Sequence, residues 1–387
     1  SIFFLEWNEL KRFENLSDEE RNIVFYSENE NSRFIFESLI DELTIKFNLK
    51  VCYVTSSKDE SILKKPKNNV LTFYIGEGAA RTKFFLNLKA KIMIMTMPDL
   101  ELFHIKRSKI FPVHYVYVFH AMVSTHLVYR KSAFDNFDTI FCVGDYQIQE
   151  IRNSEKIYNL KPKNLVRCGY NHLDNLLEEN LQNISKSKDN AKQFNILFAP
   201  SWSEDGLFET KAENIIEILL ENKYKVTFRP HPMSQKHSKK KIEKIFKKFS
   251  QNNNFILEKN IPNFESYSSS DVMITDWSGS ALEFAFGFEK PILFIDVPKK
   301  INNPEFEKNA LVPIEIRIRE KIGKIINPAY LNSIPNEIQM LILQKNEFQD
   351  KIVKIRNEII FNIKESKKYS AEAIIKILNE ESYPDNS

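Results

Sequence analysis

Three short segments carry side chains suited to handling phosphate. Arg229, Pro230, His231 and Pro232 follow the apolar run KVTF, so a guanidinium fork and an imidazole emerge together beside prolines whose φ is fixed. That pattern reads as a rigid anion clamp; the competing reading is that Arg229 pairs with a carboxylate and His231 caps the loop. In the second segment a buried run ends in Thr275, Asp276, Trp277, Ser278, Gly279 and Ser280 and then enters the helical pattern ALEFAFGF. Backbone amides and hydroxyls at a helix N-terminus bind phosphate through hydrogen bonds and the helix dipole. Ser278 or Ser280 with Glu283 shortly after also reads as an ordinary cap. The third is His120, delivered to the end of the run VHYVYVF, a position from which an imidazole can take a proton. A lone histidine at a strand end is also a common structural residue. His114 and His126, each six positions from His120, give no metal-ligand spacing, so no metal is expected.

Composition removes several classes. With 8 Gly the 387-residue chain contains neither GxGxxG nor GxxxxGK[ST], which excludes those phosphate loops. Lys plus Arg (55) nearly balances Asp plus Glu (52), leaving +3, so nothing in the charge argues for nucleic acid. Cys52, Cys142 and Cys168 lack CxxC spacing and suit a reducing cytoplasm. The most apolar long stretch, 111–129, carries three histidines and does not read as a membrane span. The opening SIFFLEWNELKRF, with Glu6 and Glu9, is expected to belong to the mature fold.

The elements that must position these residues alternate between β-branched or aromatic runs and amphipathic stretches, the pattern of an α/β protein with parallel sheets. Strands are predicted at 22–26, 50–55, 70–74, 92–96, 113–119 and 139–143, with a helix over 32–47. The rhythm restarts with strands at 194–198, 225–229, 255–257, 272–275 and 292–296 and helices at 211–221 and 239–249. The polar stretch 178–193 separates the two series. The expected organisation is therefore an N-terminal domain 1–180, a linker 181–193, a second domain 194–335, and helices over 336–387. Residues 236–249 (KHSKKKIEKIFKKF) form a helix with a basic face, read first as solvated and second as a peripheral contact with the inner membrane leaflet.

Taken together, the segments resemble the CDP-glycerol glycerophosphotransferase family of teichoic-acid and capsule-type polymer assembly. The resemblance runs from about residue 23 to about 296 through NIVFYSEN, FDTIFCVGDYQIQEI, VRCGYNHLD, LFAPSWSEDG, FRPHP and SSDVMITDWSGSALEFAFGFEKPILFID. It implies a GT-B-like architecture: two Rossmann-type domains facing across a cleft, nucleotide on the C-terminal one, acceptor on the N-terminal one, terminal helices crossing back. His120 matches the histidine of the family's Trp-His-Gly motif and His231 that of its RPHP. Thr275, Asp276 and Ser278 match Thr-Asp-Tyr-Ser-Ser, and Asp174 matches the aspartate of Gly-x-x-x-x-Asp. Phe119 and Ala121 replace the Trp and Gly, and Gly279 replaces the second serine. Glu283 stands where an Asp is usual, a position that approaches the nucleotide ribose in such folds.

The implied reaction is transfer of a phospho-alcohol group from CDP-glycerol or a related CDP-alcohol to a hydroxyl of a polymer or lipid-linked acceptor, releasing CMP. His120 would take the proton. Arg229, His231 and the turn 278–280 would stabilise charge without a required cofactor or cation, and Ser201 and Trp202 would line the nucleotide pocket. The enzyme would work in the cytoplasm or at the cytoplasmic face of the membrane. The alternatives are a GT-B glycosyltransferase using a nucleotide sugar in capsule or lipopolysaccharide synthesis, and a non-catalytic nucleotide-binding scaffold.

Overall fold

The computed structural model describes residues 1–184, 193–259, 263–299 and 301–380. Short apolar runs become strands covered on both faces, as a parallel sheet requires. β1 (Ile23–Ser27), β2 (Val51–Thr55), β3 (Val70–Tyr74), β4 (Ile92–Met95), β5 (His114–Val118), β6 (Thr139–Cys142) and β7 (Asn164–Arg167) pair in the order β3-β2-β1-β4-β5-β6-β7. A second sheet contains β8 (Asn195–Phe198), β9 (Lys225–Phe228), β10 (Phe255–Leu257), β11 (Val272–Thr275), β12 (Ile292–Ile295) and β13 (Gly323–Ile326), ordered β10-β9-β8-β11-β12-β13. The pairings are parallel, with Ile23 opposite Ile92 in the first sheet and Ile274 opposite Phe198 in the second. Strand order reverses between β1 and β4 and again between β8 and β11. These are the switch points at whose carboxyl ends open α/β sheets bind ligands.

The strands that apolar runs do not announce, β7 and β13, are the last in their sheets. β7 is exposed or half-buried along its length, so nothing requires a continuous apolar run there. The helix expected over 32–47 is Arg33–Asp41 continued by a π-helical turn, Glu42–Lys46. The opening residues form the helix Ile2–Glu14, which packs on β3. The helix Asn171–Ile184 runs into the expected linker, whose residues 185–192 lie outside the described ones. On the basic helix Lys239–Phe249, Lys241 and Lys248 reach Glu209 and Glu213 of the helix Leu207–Glu221 at 3.5 and 3.3 Å.

One helix pair joins the halves. Asn171–Ile184 packs on Ser280–Phe288, and they approach so closely at Gly287 that a Cβ there would lie 2.9 Å from Leu176 Cβ. The chain then returns to the first sheet. Phe361 N–H donates to the Val143 carbonyl (2.9 Å), and Asn362 Nδ2 donates to the Arg167 carbonyl (2.8 Å). Gly169, at φ +100°, is required twice over, because a Cβ would also collide with the Phe361 carbonyl oxygen. Asp174 accepts from the Lys364 and Ser366 N–H groups at 2.6 and 3.1 Å and from the Ser366 hydroxyl. It thereby anchors the first turn of Ser366–Glu380, which packs on Arg33–Asp41 and Asn171–Ile184. The family's landmark aspartate is thus tied up in holding the returning helix.

Asp174→Ala is expected to cost about 1–3 kcal/mol of stability by leaving buried donors unsatisfied. Urea unfolding should show the loss, while nucleotide affinity of the folded variant stays unchanged.

Candidate active site

A cleft of about 690 Å³ lies between the carboxyl edges of the two sheets. From the first half, Glu28 after β1, Thr96 after β4 and His120 after β5 line it, joined by Tyr170 and His172. The second half supplies Ser201 and Trp202 after β8, His231 after β9, and Ser278, Gly279, Ser280 and Glu283 at and beyond the end of β11.

His120 is placed by an aromatic foundation. Phe119 is buried and meets the Tyr117 ring edge-on at 4.9 Å, so the strand ends rigidly and the next side chain opens onto the cleft. Although its ring faces the cleft, surrounding protein desolvates it and holds its pKa below the ordinary imidazole value, against an opposing contribution from the Thr96 backbone. A neutral imidazole near neutral pH is the form that accepts a proton.

Opposite stands the start of the helix Ser280–Phe288. Ser280 N–H donates to Ser278 Oγ at 3.1 Å, and the two hydroxyls also meet, so Ser278 covers the first amide of the helix, whose N-cap is Gly279, while both serine side chains line the cleft. A Cβ at Gly279 would lie 3.5 Å from Ala121 Cβ. The small residues that depart from the family motifs therefore lie against each other where the halves meet. Thr275 and Asp276 are not part of the wall. Thr275 Oγ1 donates to the Ala199 carbonyl (2.6 Å), and the Asp276 carboxylate accepts from Ser201 N–H and Oγ–H, both at 2.8 Å, and from Leu207 N–H at 3.3 Å. Both are buried and hold the loop after β8 in place. Trp277 donates to the Val297 carbonyl (2.8 Å) beneath the Arg319 guanidinium, which lies 3.7 Å from its ring centre and pairs with Asp296 at 3.0 Å.

The clamp expected of Arg229 needs correction. Only 7% exposed, Arg229 pairs with Glu258 at 2.6 Å, donates to the Asn263 carbonyl at 2.5 Å, and lies against the Phe264 and Tyr267 rings at 5.1 and 5.0 Å. Register explains the pairing: Phe228 is opposite Leu257, so the next residue on each strand, Arg229 and Glu258, sit side by side. His231 Nδ1 accepts from Met233 N–H at 3.0 Å and caps the helix Pro232–His237, while the ring still lines the cleft. Trp202 stacks on His237 at 5.5 Å. Arg229→Ala is expected to lower stability by about 3–5 kcal/mol, because it strands Glu258 without its partner. Thermal unfolding would register this before any effect on a ligand.

Sequence reading missed four residues here. The Tyr170 hydroxyl donates to the His120 carbonyl (2.9 Å) and lies 3.3 Å from Glu283 Oε1, bridging the two halves. Glu283 is pushed up to about 7 by burial, which outweighs the Tyr170 hydrogen bond and the charge of Arg229. His172, held between the Phe34 and Phe264 rings at 5.4 and 5.0 Å, is driven down to about 3 by burial and then by Arg229. Both Tyr170 and His172 stand in VRCGYNHLD, a recognisable landmark whose chemistry shows only when the halves meet. Glu28 belongs to NIVFYSEN and was equally silent. The fourth, Glu315, accepts from Ser124 N–H across the halves, and burial pushes it to about 7, with Glu150 adding to the rise. Beside it His126 contacts Glu150 at 3.1 Å and the Leu311 carbonyl at 2.8 Å. Among the described residues no group of three or more His, Cys, Asp or Glu is placed to hold a metal ion, and no helix is long and apolar enough to cross a membrane.

A carboxyl whose folded pKa is raised stabilises the fold below its unfolded value, here 4.5, and loses that contribution as pH climbs through about 7. Glu315→Gln, which imitates the protonated acid, is expected to unfold at nearly the wild-type temperature at about pH 5 and at a higher temperature than wild type at about pH 8.

Two facing parallel sheets with a cleft at their switch points, a neutral histidine on one side and a capped helix N-terminus on the other, define a GT-B-like transferase. The sequence matches the family described as CDP-glycerol:poly(glycerophosphate) glycerophosphotransferase over residues 10–300, and the chain belongs to that family. The fold is similar to that of the wall teichoic acid polymerase TagF, with 14% identity, 99% of this chain and 96% of that one covered, and a TM-score of 0.60. It is also similar to a UDP-GlcNAc 2-epimerase from Methanocaldococcus jannaschii solved with UDP-GlcNAc and UDP (14% identity, 93% and 99% covered, TM-score 0.54). A glycosyltransferase from Rickettsia africae ESF-5 shares the fold at 10% identity, with 95% and 100% covered and a TM-score of 0.52. No curated protein sequence matches the chain.

Proposed function

We propose that the chain transfers a phospho-alcohol group from a CDP-alcohol such as CDP-glycerol to a hydroxyl of a surface-polymer or glycolipid acceptor. The observation that carries this reading is the pairing of a neutral His120 with the Ser278–Ser280 cap in one cleft of a chain belonging to the glycerophosphotransferase family. The acceptor oxygen attacks the β-phosphorus and forms a P–O bond as the bond to the bridging oxygen breaks. CMP leaves with that electron pair, and the acceptor proton passes to His120.

Ser278, Ser280 and the positive end of the helix Ser280–Phe288 stabilise charge on the diphosphate, as fixed polar groups do in phosphoryl transfer. His231, which caps Pro232–His237 through Nδ1, lines the same region. Ser201 and Trp202 frame the nucleotide, with Ser201 locked by Asp276. The buried free thiols Cys52, Cys142 and Cys168 suit a reducing compartment, and we place the enzyme on the cytoplasmic side. Membrane contact through the helix Lys239–Phe249 has less support than a solvated face, because carboxylates of Leu207–Glu221 neutralise part of its lysine array.

His120→Ala is expected to reduce turnover by about 10²-fold or more while CDP-glycerol affinity stays within a few-fold. Mass spectrometry of the wild-type product should find a phosphodiester and one CMP per transfer. A glycosidic product, or full turnover in the variant, would remove the mechanism.

A further inference from the structure

The Tyr170 hydroxyl has two oxygen neighbours and one proton. The His120 carbonyl, on its own half of the molecule, lies 2.9 Å away, and Glu283 Oε1, across the join, lies 3.3 Å away. A carbonyl oxygen can only accept, so the shorter contact takes the tyrosine's proton. The tyrosine oxygen then faces Glu283 as an acceptor, and a hydrogen bond forms there only if the carboxyl brings a proton of its own. An ionised Glu283 would instead set two acceptors against one donor, and one of them would go unsatisfied beside a tyrosine that is only 2% exposed. The surroundings of Glu283 agree with the acid form. Facing it are His172, whose Nε2 lies 3.9 Å from Oε2, Tyr267 of the helix Glu265–Ser269, Arg229 after β9, and His120 beyond Tyr170. Burial keeps both histidines neutral and pushes the Tyr267 hydroxyl up. Arg229 favours the carboxylate but is paired with Glu258 at 2.6 Å, and burial outweighs it, so Glu283 rises to about 7. Arg356 of the helix Lys345–Ile359 serves the far end of the same helix, at the Phe286 carbonyl and Glu289.

From this proton count we infer that Tyr170 is a positioning residue for His120, set in place by Glu283, which as a neutral acid on the opposite half donates to the tyrosine oxygen. The chain runs from Glu283 O–H to Tyr170 O–H to the His120 carbonyl and crosses the join between the halves. It holds the backbone of the residue that takes the acceptor's proton, and it rests on the transferase reading above for that duty alone. When Glu283 gives its proton to solvent, its carboxylate becomes a stronger acceptor than a carbonyl. Tyr170 then turns its proton to Glu283, and the His120 carbonyl is released. Turnover therefore falls as pH climbs through the range in which Glu283 ionises, although His120 itself stays in its proton-accepting form.

Two measurements on the full chain test this. Difference infrared spectroscopy of the wild type against Glu283→Gln needs no ligand. It is expected to show a protonated-carboxyl C=O band at about pH 6 that the variant lacks and that fades in the wild type by about pH 9. Tyr170→Phe should keep this band but move it to higher frequency, because the acid loses its acceptor. In steady-state assays with CDP-glycerol and a hydroxyl acceptor, wild-type kcat is expected to fall about fivefold between those pH values, the worth of one hydrogen bond. Tyr170→Phe should lose about as much kcat already at about pH 6, keep its KM for CDP-glycerol within a few-fold, and show no alkaline limb. Glu283→Gln, whose amide donates to the tyrosine at every pH, should lack the limb whatever its absolute rate. No Glu283 band at about pH 6, a band that Tyr170→Phe leaves in place, or an alkaline limb that survives both substitutions would overturn the inference. Calorimetry with CDP-glycerol separates the levels: a missing band with donor binding intact sinks this inference alone, whereas no donor binding sinks the transferase reading and the duty assigned to His120 with it.

Discussion

The structure depends on one close approach between helices. Asn171–Ile184 from the first half and Ser280–Phe288 from the second meet where Gly287 leaves Leu176 room, and no side chain larger than hydrogen fits at Gly287 without displacement. Because each helix is attached to the carboxyl edge of its own sheet, their contact aims the two edges at each other. Tyr170, just before the first of these helices, then reaches the His120 carbonyl and lies within hydrogen-bond distance of Glu283 on the second helix. His120 and the turn 278–280 are thereby held in one frame, which the proposed catalysis by positioning and fixed donors requires. The returning segment 360–366 locks the frame from behind through Gly169 and Asp174.

Protonation in the cleft follows from burial more than from pairing. Desolvation lowers His120 and His172 and raises Glu283 and Glu315, so near neutral pH the centre of the site carries less charge than its residue types suggest.

Most of the fold was legible because buried parallel strands must be apolar on both faces, and such runs stand out. β7 and β13 were hidden because edge strands face fewer constraints, and the π-helical turn at Glu42–Lys46 leaves no mark in the apolar spacing. The motifs lie at strand ends that line one cleft, yet the duties of individual residues depend on partners distant in the chain. Arg229 could not be read without knowing that β10 brings Glu258 beside it. Asp276 could not be read without Ser201, 75 positions away, nor Asp174 without Ser366. Lys290, within KPILF, likewise serves structure by donating to the carbonyls of Ser268 and Ser270, both at 2.7 Å. Tyr170 and His172 acquire meaning only when the halves pack. By contrast His120 and the turn 278–280 come from contiguous sequence and lie where that sequence placed them.

The central claim is that this cleft is built for a cytidine diphosphate donor. Calorimetric titration of the purified chain with CDP-glycerol, CMP and CDP, set against UDP and UDP-sugars, tests it most directly, since a ligand of the native state reports its own affinity without any acceptor being known. The account predicts selective binding of the cytidine compounds, with CDP-glycerol among the tightest. Preferential binding of uridine nucleotides would contradict it and turn the same cleft into that of a sugar transferase.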